Sequence, residues 1–410
     1  MRTTTLFILI CLLLPAFARG EEDSLNIRVK GFIDTYHAVR AKSPADVMSS
    51  RTRIRGELTV SSGNSGMFAS ANAAYNALLT DECGFFVREA YLYYAPGDFD
   101  IRAGRQIITW GVADALRLTD IISPMDYTEF LAEDYDDIRI PVNAVRARYI
   151  SSNMSIEAVL TPVNSYYILP YDNANPWSVS IPNSDIPYMV DLTNQPAIKI
   201  DNMEYGGRGC SYLSGIDFSV SALRTWNKMP VFSKRLTVSY DTLLITSEHR
   251  RLTMLGADVS MPADKFVVRA EVAEYIGEAQ EPAVNQAIEY HNSTNMLIGI
   301  DWYGSNEWKA GIQYSHKYVD GNLSATTVYR NSGMATMRLS KTLLRNTLNL
   351  STFAYIDVTN YGIFNRFTAD YALNDQIHIM LGYDFIDADG GSFMMYKNNS
   401  EFWAKLKFSF

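Results

Sequence analysis

The sequence predicts an all-β protein, a closed antiparallel transmembrane β-barrel of about 18 strands (range roughly 16–20) with an inserted lumenal or extracellular segment. Three observations carry that prediction. Apolar and polar residues alternate with period two over unusually long stretches, the first residues read as an export leader, and the last strand is aromatic and ends in Phe410. Soluble strands average about five or six residues, whereas a tilted strand needs about nine to eleven to cross hydrocarbon, so strand length separates the two cases.

In 1–20, Arg2 supplies a positive start, 6–14 an apolar core, and Ala16, Ala18 and Gly20 small residues for cleavage. This pattern makes 1–20 a signal peptide and 21–410 the exported barrel. Cys11 lies inside the apolar core, which argues against lipid attachment. The alternation then places strands at 25–40, 51–62, 67–79, 85–95, 99–106, 142–150, 154–162, 204–213, 216–226 and 235–245. It continues at 252–261, 266–276, 296–303, 308–319, 333–343, 348–358, 361–373, 377–385 and 402–410. In the last of these, Phe402, Ala404, Leu406, Phe408 and Phe410 interleave with Trp403, Lys405, Lys407 and Ser409. These are one candidate too many for an even-stranded barrel, hence the expectation of about 18.

Links such as 62–66, 95–98 and 373–375 carry turn residues and suit periplasmic hairpins. Three segments, 107–141, 163–203 and 277–293, are too long for hairpins and are expected on the extracellular side. The middle one is rich in Pro, Asn and Tyr and is expected to be irregular and exposed. The chain carries 26 Tyr, 19 Phe and 6 Trp against 5 His, and beyond the leader no apolar run is long enough for a helical span. The formal charge of −9 becomes −11 when Arg2 and Arg19 leave with the leader, which speaks against a nucleic-acid partner. Cys83 and Cys210 form no metal-ligand spacing; they either pair or remain two buried thiols. No cofactor or metal site is expected, because His37, His249, His316 and His378 are isolated and the acidic run 133–137 lacks the spacing of a calcium loop.

The polar faces of the early strands are basic. Arg28, Lys30 and Asp34 oppose Ile27, Val29 and Ile33, and Arg51, Arg53, Arg55 and Glu57 oppose Ile54, Leu58 and Val60. Arg102, Arg146 and Arg148 add to the same face, and none of these arginines can face lipid at about 2–4 kcal/mol each near the midplane. They are expected to line the pore. Between them, 107–141 carries Asp114, Asp120, Asp126, Glu129, Glu133, Asp134, Asp136 and Asp137 against Arg117 and Arg139, and 111–118 can form a short helix or turn. This segment either folds into the lumen, setting its carboxylates against the arginines as a constriction, or is a solvated extracellular loop. The arginines' need for partners favours the first.

Arg102-Ala103-Gly104-Arg105-Gln106, then Thr109-Trp110-Gly111, Asp120 and Ser123-Pro124-Met125-Asp126, resembles a motif of a porin-like outer-membrane barrel family with no assigned function. The resemblance covers about 25 residues of this chain by the motif's extent. It implies a large barrel, sometimes accompanying inner-membrane pumps of the resistance-nodulation type, and a structural or lumenal cluster of Arg105, Gln106, Trp110, Asp120 and Asp126. His291 and Ser293 share a strand face and weakly resemble the catalytic pair of outer-membrane phospholipases, but the surrounding sequence lacks that family's pattern. A non-enzymatic role is therefore expected: a channel for small polar solutes embedded in outer-membrane lipid, delivered to the barrel-assembly machinery through Phe410. The alternatives are a partner of an envelope export or lipid-trafficking system and, far behind, a hydrolase.

Overall fold

A computed structural model describes residues 24–130, 137–172, 174–178 and 186–410. The expected signal peptide 1–20 and the carboxylates Glu133, Asp134 and Asp136 lie outside the described residues.

β1 (Asn26–Arg40), β2 (Val47–Ser62), β3 (Ser65–Asn76), β4 (Gly84–Tyr94) and β5 (Phe99–Gln106) follow one another antiparallel. β6 (Val142–Ile150) and β7 (Met154–Val163) continue the wall; β8 (Tyr188–Asp191) stands apart from it. β9 (Glu204–Leu213) and β10 (Ile216–Trp226) rejoin the wall, and β11 (Val231–Leu236) and β12 (Leu243–Glu248) leave it again. β13 (Arg251–Ala263), β14 (Phe266–Ala279), β15 (Tyr290–Tyr303), β16 (Trp308–Val319) and β17 (Asn331–Leu343) form the far wall. β18 (Leu348–Asp357), β19 (Gly362–Ala372), β20 (Ile377–Ala388) and β21 (Glu401–Ser409) complete it. β21 pairs antiparallel with β1, Ile33 opposite Phe408, so the 18-stranded sheet closes on itself. Phe410 and Gly31 exchange both backbone hydrogen bonds at 2.9 Å, making the terminal residue the last rung of the closing seam. Among the described residues no helix is long and apolar enough to cross a membrane.

The two faces of the wall differ as the alternation requires. Ile27, Val29, Ile54, Ile298, Ile312, Leu381 and Leu406 are exposed outward, while Asp34, Arg53, Glu271 and Asp384 on the inward parity are buried. Burial of charge on the inner face of so wide a ring means that something fills the lumen.

Two expected elements are corrected. The segment 235–245 is not a barrel strand: Tyr240, at φ +58, turns the chain, and Thr237 Oγ1 donates to Asp241 at 2.8 Å across that turn. The result is the hairpin β11–β12, with six residues per strand, joined in parallel by β8. The expected loop 277–293 is shorter than its sequence bounds, running over 280–289, because a bulge between Tyr275 and Glu278 carries β14 past Gly277 to Ala279 and β15 already begins at Tyr290. Both thiols, Cys83 and Cys210, are free.

Candidate functional site

The wall gives way to an inserted segment after β5. Gly104, at φ +137, lets β5 lie so close to β4 that a Cβ there would strike the Ala90 carbonyl and the Tyr91 backbone. Gln106 then turns inward and donates to the Ala144 carbonyl at 3.0 Å, and the Ile107 N–H bonds to Glu89 at 2.9 Å. From there Ile108, Trp110, Leu118 and Ile122 form one buried cluster with Val142, Ala144, Val159, Leu223, Leu252, Met254, Ala273 and Leu297 of the wall. The Trp110 indole N–H donates to Glu157 at 2.7 Å.

Opposite β2, the wall carboxylate Glu271 on β14 receives the Val112 and Ala113 N–H groups at 2.5 and 2.7 Å and the Thr119 hydroxyl at 3.3 Å. This approach needs Gly111, at φ +84, since a Cβ would sit 2.7 Å from a Glu271 oxygen. The stretch 111–118 is irregular rather than helical, because Glu271, and not an internal hydrogen-bond ladder, satisfies its N–H groups. Asp114 reaches Arg269 at 3.1 Å and Arg338 at 3.3 Å. At the other side of the lumen, Glu129 accepts from Arg51 at 2.9 Å, from Ser49 at 2.8 Å and from Asn76 at 3.2 Å. Asp137 accepts from Arg53 at 3.0 Å and Arg55 at 2.6 Å, while Arg53 also holds Asp34 at 2.6 Å. β2 and β14 are nine places apart in the closed ring of 18, so the insert reaches from one wall to the diametrically opposite one.

Within the insert, Asp120 binds its own segment's cations, Arg139 at 2.6 Å and Arg117 at 3.3 Å, and accepts the Trp110 N–H at 3.1 Å. Asp126 makes no contact with the arginine wall among the described residues; it accepts the Thr128 N–H and hydroxyl at 2.9 and 2.6 Å, and burial pushes its carboxyl up. Burial also acts to raise Asp137, but Arg53 and Arg55 more than reverse this and hold it below the usual carboxylate range.

The remaining expected basic residues sit lower. Arg102 and Arg146 share Asp100 at 3.0 and 3.3 Å, Arg148 is inward and half-buried, and Arg28 and Lys30 are exposed near the turn end of β1, Lys30 lying 3.5 Å from Glu57. Arg105 is the exception to the expected cluster. The register sets Gln106 and Arg102 inward and puts Arg105 on the outward parity with Ile101, its Nε donating to the Arg88 carbonyl at 3.0 Å. Trp110 and Asp120 meet through the Trp110 backbone N–H, Gln106 bonds instead to the Ala144 carbonyl, and Arg105 has the outward parity.

At the end of the ring away from the short turns, aromatic residues of the insert and of the segment after β7 pack against the side formed by β1 and β19 to β21, a cluster that the sequence did not announce. Phe130, held at φ +52, stacks on Tyr396 at 4.0 Å and meets Trp177, Phe364 and Phe393. Trp177 is fully buried, so part of the expected surface loop 163–203 folds inward instead, with Asn175 donating to the Thr128 carbonyl at 2.7 Å. Toward the turn end, a cavity of about 350 Å³ lies below the insert, lined among others by Asp114, Arg208, Asp258 and Arg269. Glu157, Glu271, Arg269 and Arg338 were missed in the sequence; their inward parity was the available signal, but nothing local marks them as receptors for a distant segment. His291 and Ser293 take different partners, Glu289 at 3.3 Å and Glu278 at 2.6 Å. Among the described residues no group of three or more His, Cys, Asp or Glu side chains is placed to hold a metal.

No curated protein matches the chain in sequence. Among solved structures it is similar to a loop-deletion mutant of OmpT, an outer membrane protein of Vibrio cholerae, at 10% identity and a TM-score of 0.48, covering 95% of this chain and 100% of that one. It is similar to Salmonella typhi OmpF in complex with daunomycin at 10% identity and a TM-score of 0.47, covering 94% and 97%. A Rh. blastica porin mutant stands at 9% identity and a TM-score of 0.45, covering 94% and 100%. Residues 79–371, well over half of the chain, match the family described as "Protein of unknown function (DUF1302)", and the chain belongs to that family.

Proposed function

We propose that the protein is a porin-like channel of a bacterial outer membrane, passing small polar solutes by diffusion around a constriction formed by the insert 107–141. The observation that carries this reading is the bridging of diametrically opposite walls by the insert through Arg53–Asp137 and Glu271–Val112. A segment so placed narrows a wide ring without filling its lower half, where the charged cavity lies. The outward apolar side chains fit a hydrocarbon belt, and Phe410 at the closing seam fits a terminal signal read by barrel-assembly machinery. Side chains of both signs line the path, Arg208 and Arg269 with Asp114 and Asp258, which suits hydrated polar solutes rather than one class of ion.

Planar-bilayer recording of the purified barrel tests it. Discrete conductance steps are expected, and Asp137→Asn, which leaves Arg53 and Arg55 less neutralised, shifts the reversal potential toward anion preference. Absence of steps from the folded protein, or an unchanged reversal potential in the variant, overturns the pore or the constriction respectively.

A further inference from the structure

The wall is not equally high all round. β1 and β2 run for 15 and 16 residues, whereas β5 and β6 have only 8 and 9. β4 pairs with β3 along its whole length but with β5 only from Ala90 to Tyr94. Among the described residues, the edge of β4 from Gly84 to Glu89 therefore has no strand partner on its β5 side.

That open edge lies at membrane height. Phe85 and Tyr94 on β4 face outward at 70% and 50% exposure, as girdle aromatics do. The strand between them rises about 23 Å at ~3.3 Å per residue and ~40° tilt, close to the full apolar belt of about 25 Å. From the outward Phe99 to the end of β5 the rise is only about 18 Å by the same geometry, so the wall stops short of the upper girdle. Unpaired backbone at that depth persists only where protein or a water-lined opening meets it.

Arg105 stands at the lower lip of this gap, about 15 Å above Phe99 by the same rise per residue. It is outward-facing, partly buried and in no ion pair among the described residues; its Nε holds the Arg88 carbonyl on the open edge. The neighbouring carboxylate, Glu89, is engaged by the Ile107 N–H and by Arg88. A guanidinium on a lipid-facing surface with no carboxylate of its own needs an anion, and its free Nη edge matches the geometry of a phosphate or carboxylate. Directly behind the lip are the apolar residues Ile108, Val142 and Val159 of the buried cluster.

We infer that the barrel is open sideways above β5 and β6, and that Arg105 at the lip binds the anionic head of an amphiphile arriving from the bilayer. The site needs the barrel to be membrane-embedded but not to conduct, so its failure and that of the pore are separable. Its ligand is an acyl chain with a phosphate or carboxylate head.

The test uses the full protein in nanodiscs with dodecyl phosphate and dodecanoate, each carrying a photoreactive diazirine next to the head, and the matching dodecanol as uncharged counterpart. Irradiation of the wild type is expected to label 84–90 and 103–106, with competition by excess unreactive amphiphile. Labelling spread over the belt, or concentrated elsewhere, overturns the site. Arg105→Gln is expected to cut labelling by both anionic probes about tenfold, equivalent to losing one charge-assisted contact, and to leave dodecanol labelling as it was. Equal labelling by wild type and variant also overturns it. Preference for the phosphate probe points to lipid headgroups and preference for dodecanoate to free fatty acids; both support the site. Should Arg105→Gln fail to fold, the wild-type map decides alone.

Discussion

The two ends of the insert are anchored by opposite chemistry. At β2 the wall supplies cations and the insert supplies side-chain carboxylates: Arg51 to Glu129, and Arg53 and Arg55 to Asp137. At β14 the wall supplies the carboxylate and the insert supplies backbone N–H groups, with the Ile108–Trp110 cluster packed beside them. The first anchor is a network of buried charges that share partners, Arg53 between Asp34 and Asp137, and Asp137 between Arg53 and Arg55. The second combines a hydrogen-bond acceptor with apolar burial, and neither part depends strictly on charge. One segment is thus held by a charge-sensitive grip on one wall and a charge-tolerant one on the other.

Breaking the first grip at its most shared residue should have the largest effect. Arg53→Met takes from Asp34 and Asp137 the cation they share, leaving Lys405 at 3.6 Å and Arg55 at 2.6 Å as their remaining cations, and a loss of about 3 kcal/mol is expected in urea unfolding of the refolded barrel. A change under about 1 kcal/mol would mean that the pairs do not hold the segment. Asp137→Asn is gentler, because Arg53 keeps Asp34 and Arg55 keeps Asn72, bound at 2.8 Å; about 2 kcal/mol is expected, the size of one charged hydrogen bond.

At the other wall, Glu271→Gln keeps an oxygen that can accept from Val112 and Ala113, so about 1 kcal/mol is expected in the same measurement. A cost equal to that of Arg53→Met would erase the contrast between the two anchors.

The smallest effect concerns pH and separates the two carboxylates at the β2 end. Asp137 is held below its ordinary range, so its stabilisation is fully present above the unfolded value of about 3.9 and fades only as pH falls through the lower folded value. Asp126 is raised by burial, so stability increases as pH falls from its folded value toward about 3.9. Asp126→Asn should flatten that rise while leaving the acid limb due to Asp137 in place. An unchanged pH profile in unfolding experiments would show that Asp126 does not titrate with the fold.

Strand placement was legible because alternation over membrane length is a local property. The spans 99–106, 142–150, 204–213, 216–226 and 308–319 match β5, β6, β9, β10 and β16 end to end. Where alternation was short it misled, since Leu243 and Ile245 alternate like a barrel strand while the turn at Tyr240 leaves them only a small three-stranded sheet apart from the wall. The basic stripe and the acidic segment were both visible as composition. Their pairing by residue was not, because Asp120 and Asp126 look the same as Asp137 until the path of the chain brings only the last beside Arg53.

The sequence by itself determined the ring and its two faces, since side-chain parity along a strand follows from backbone geometry alone and requires no knowledge of neighbours. Only the tertiary structure decided what fills the lumen and where the wall is low. Those depend on contacts between residues far apart along the chain, such as Glu271 with Val112, and on where β5 leaves its partner β4.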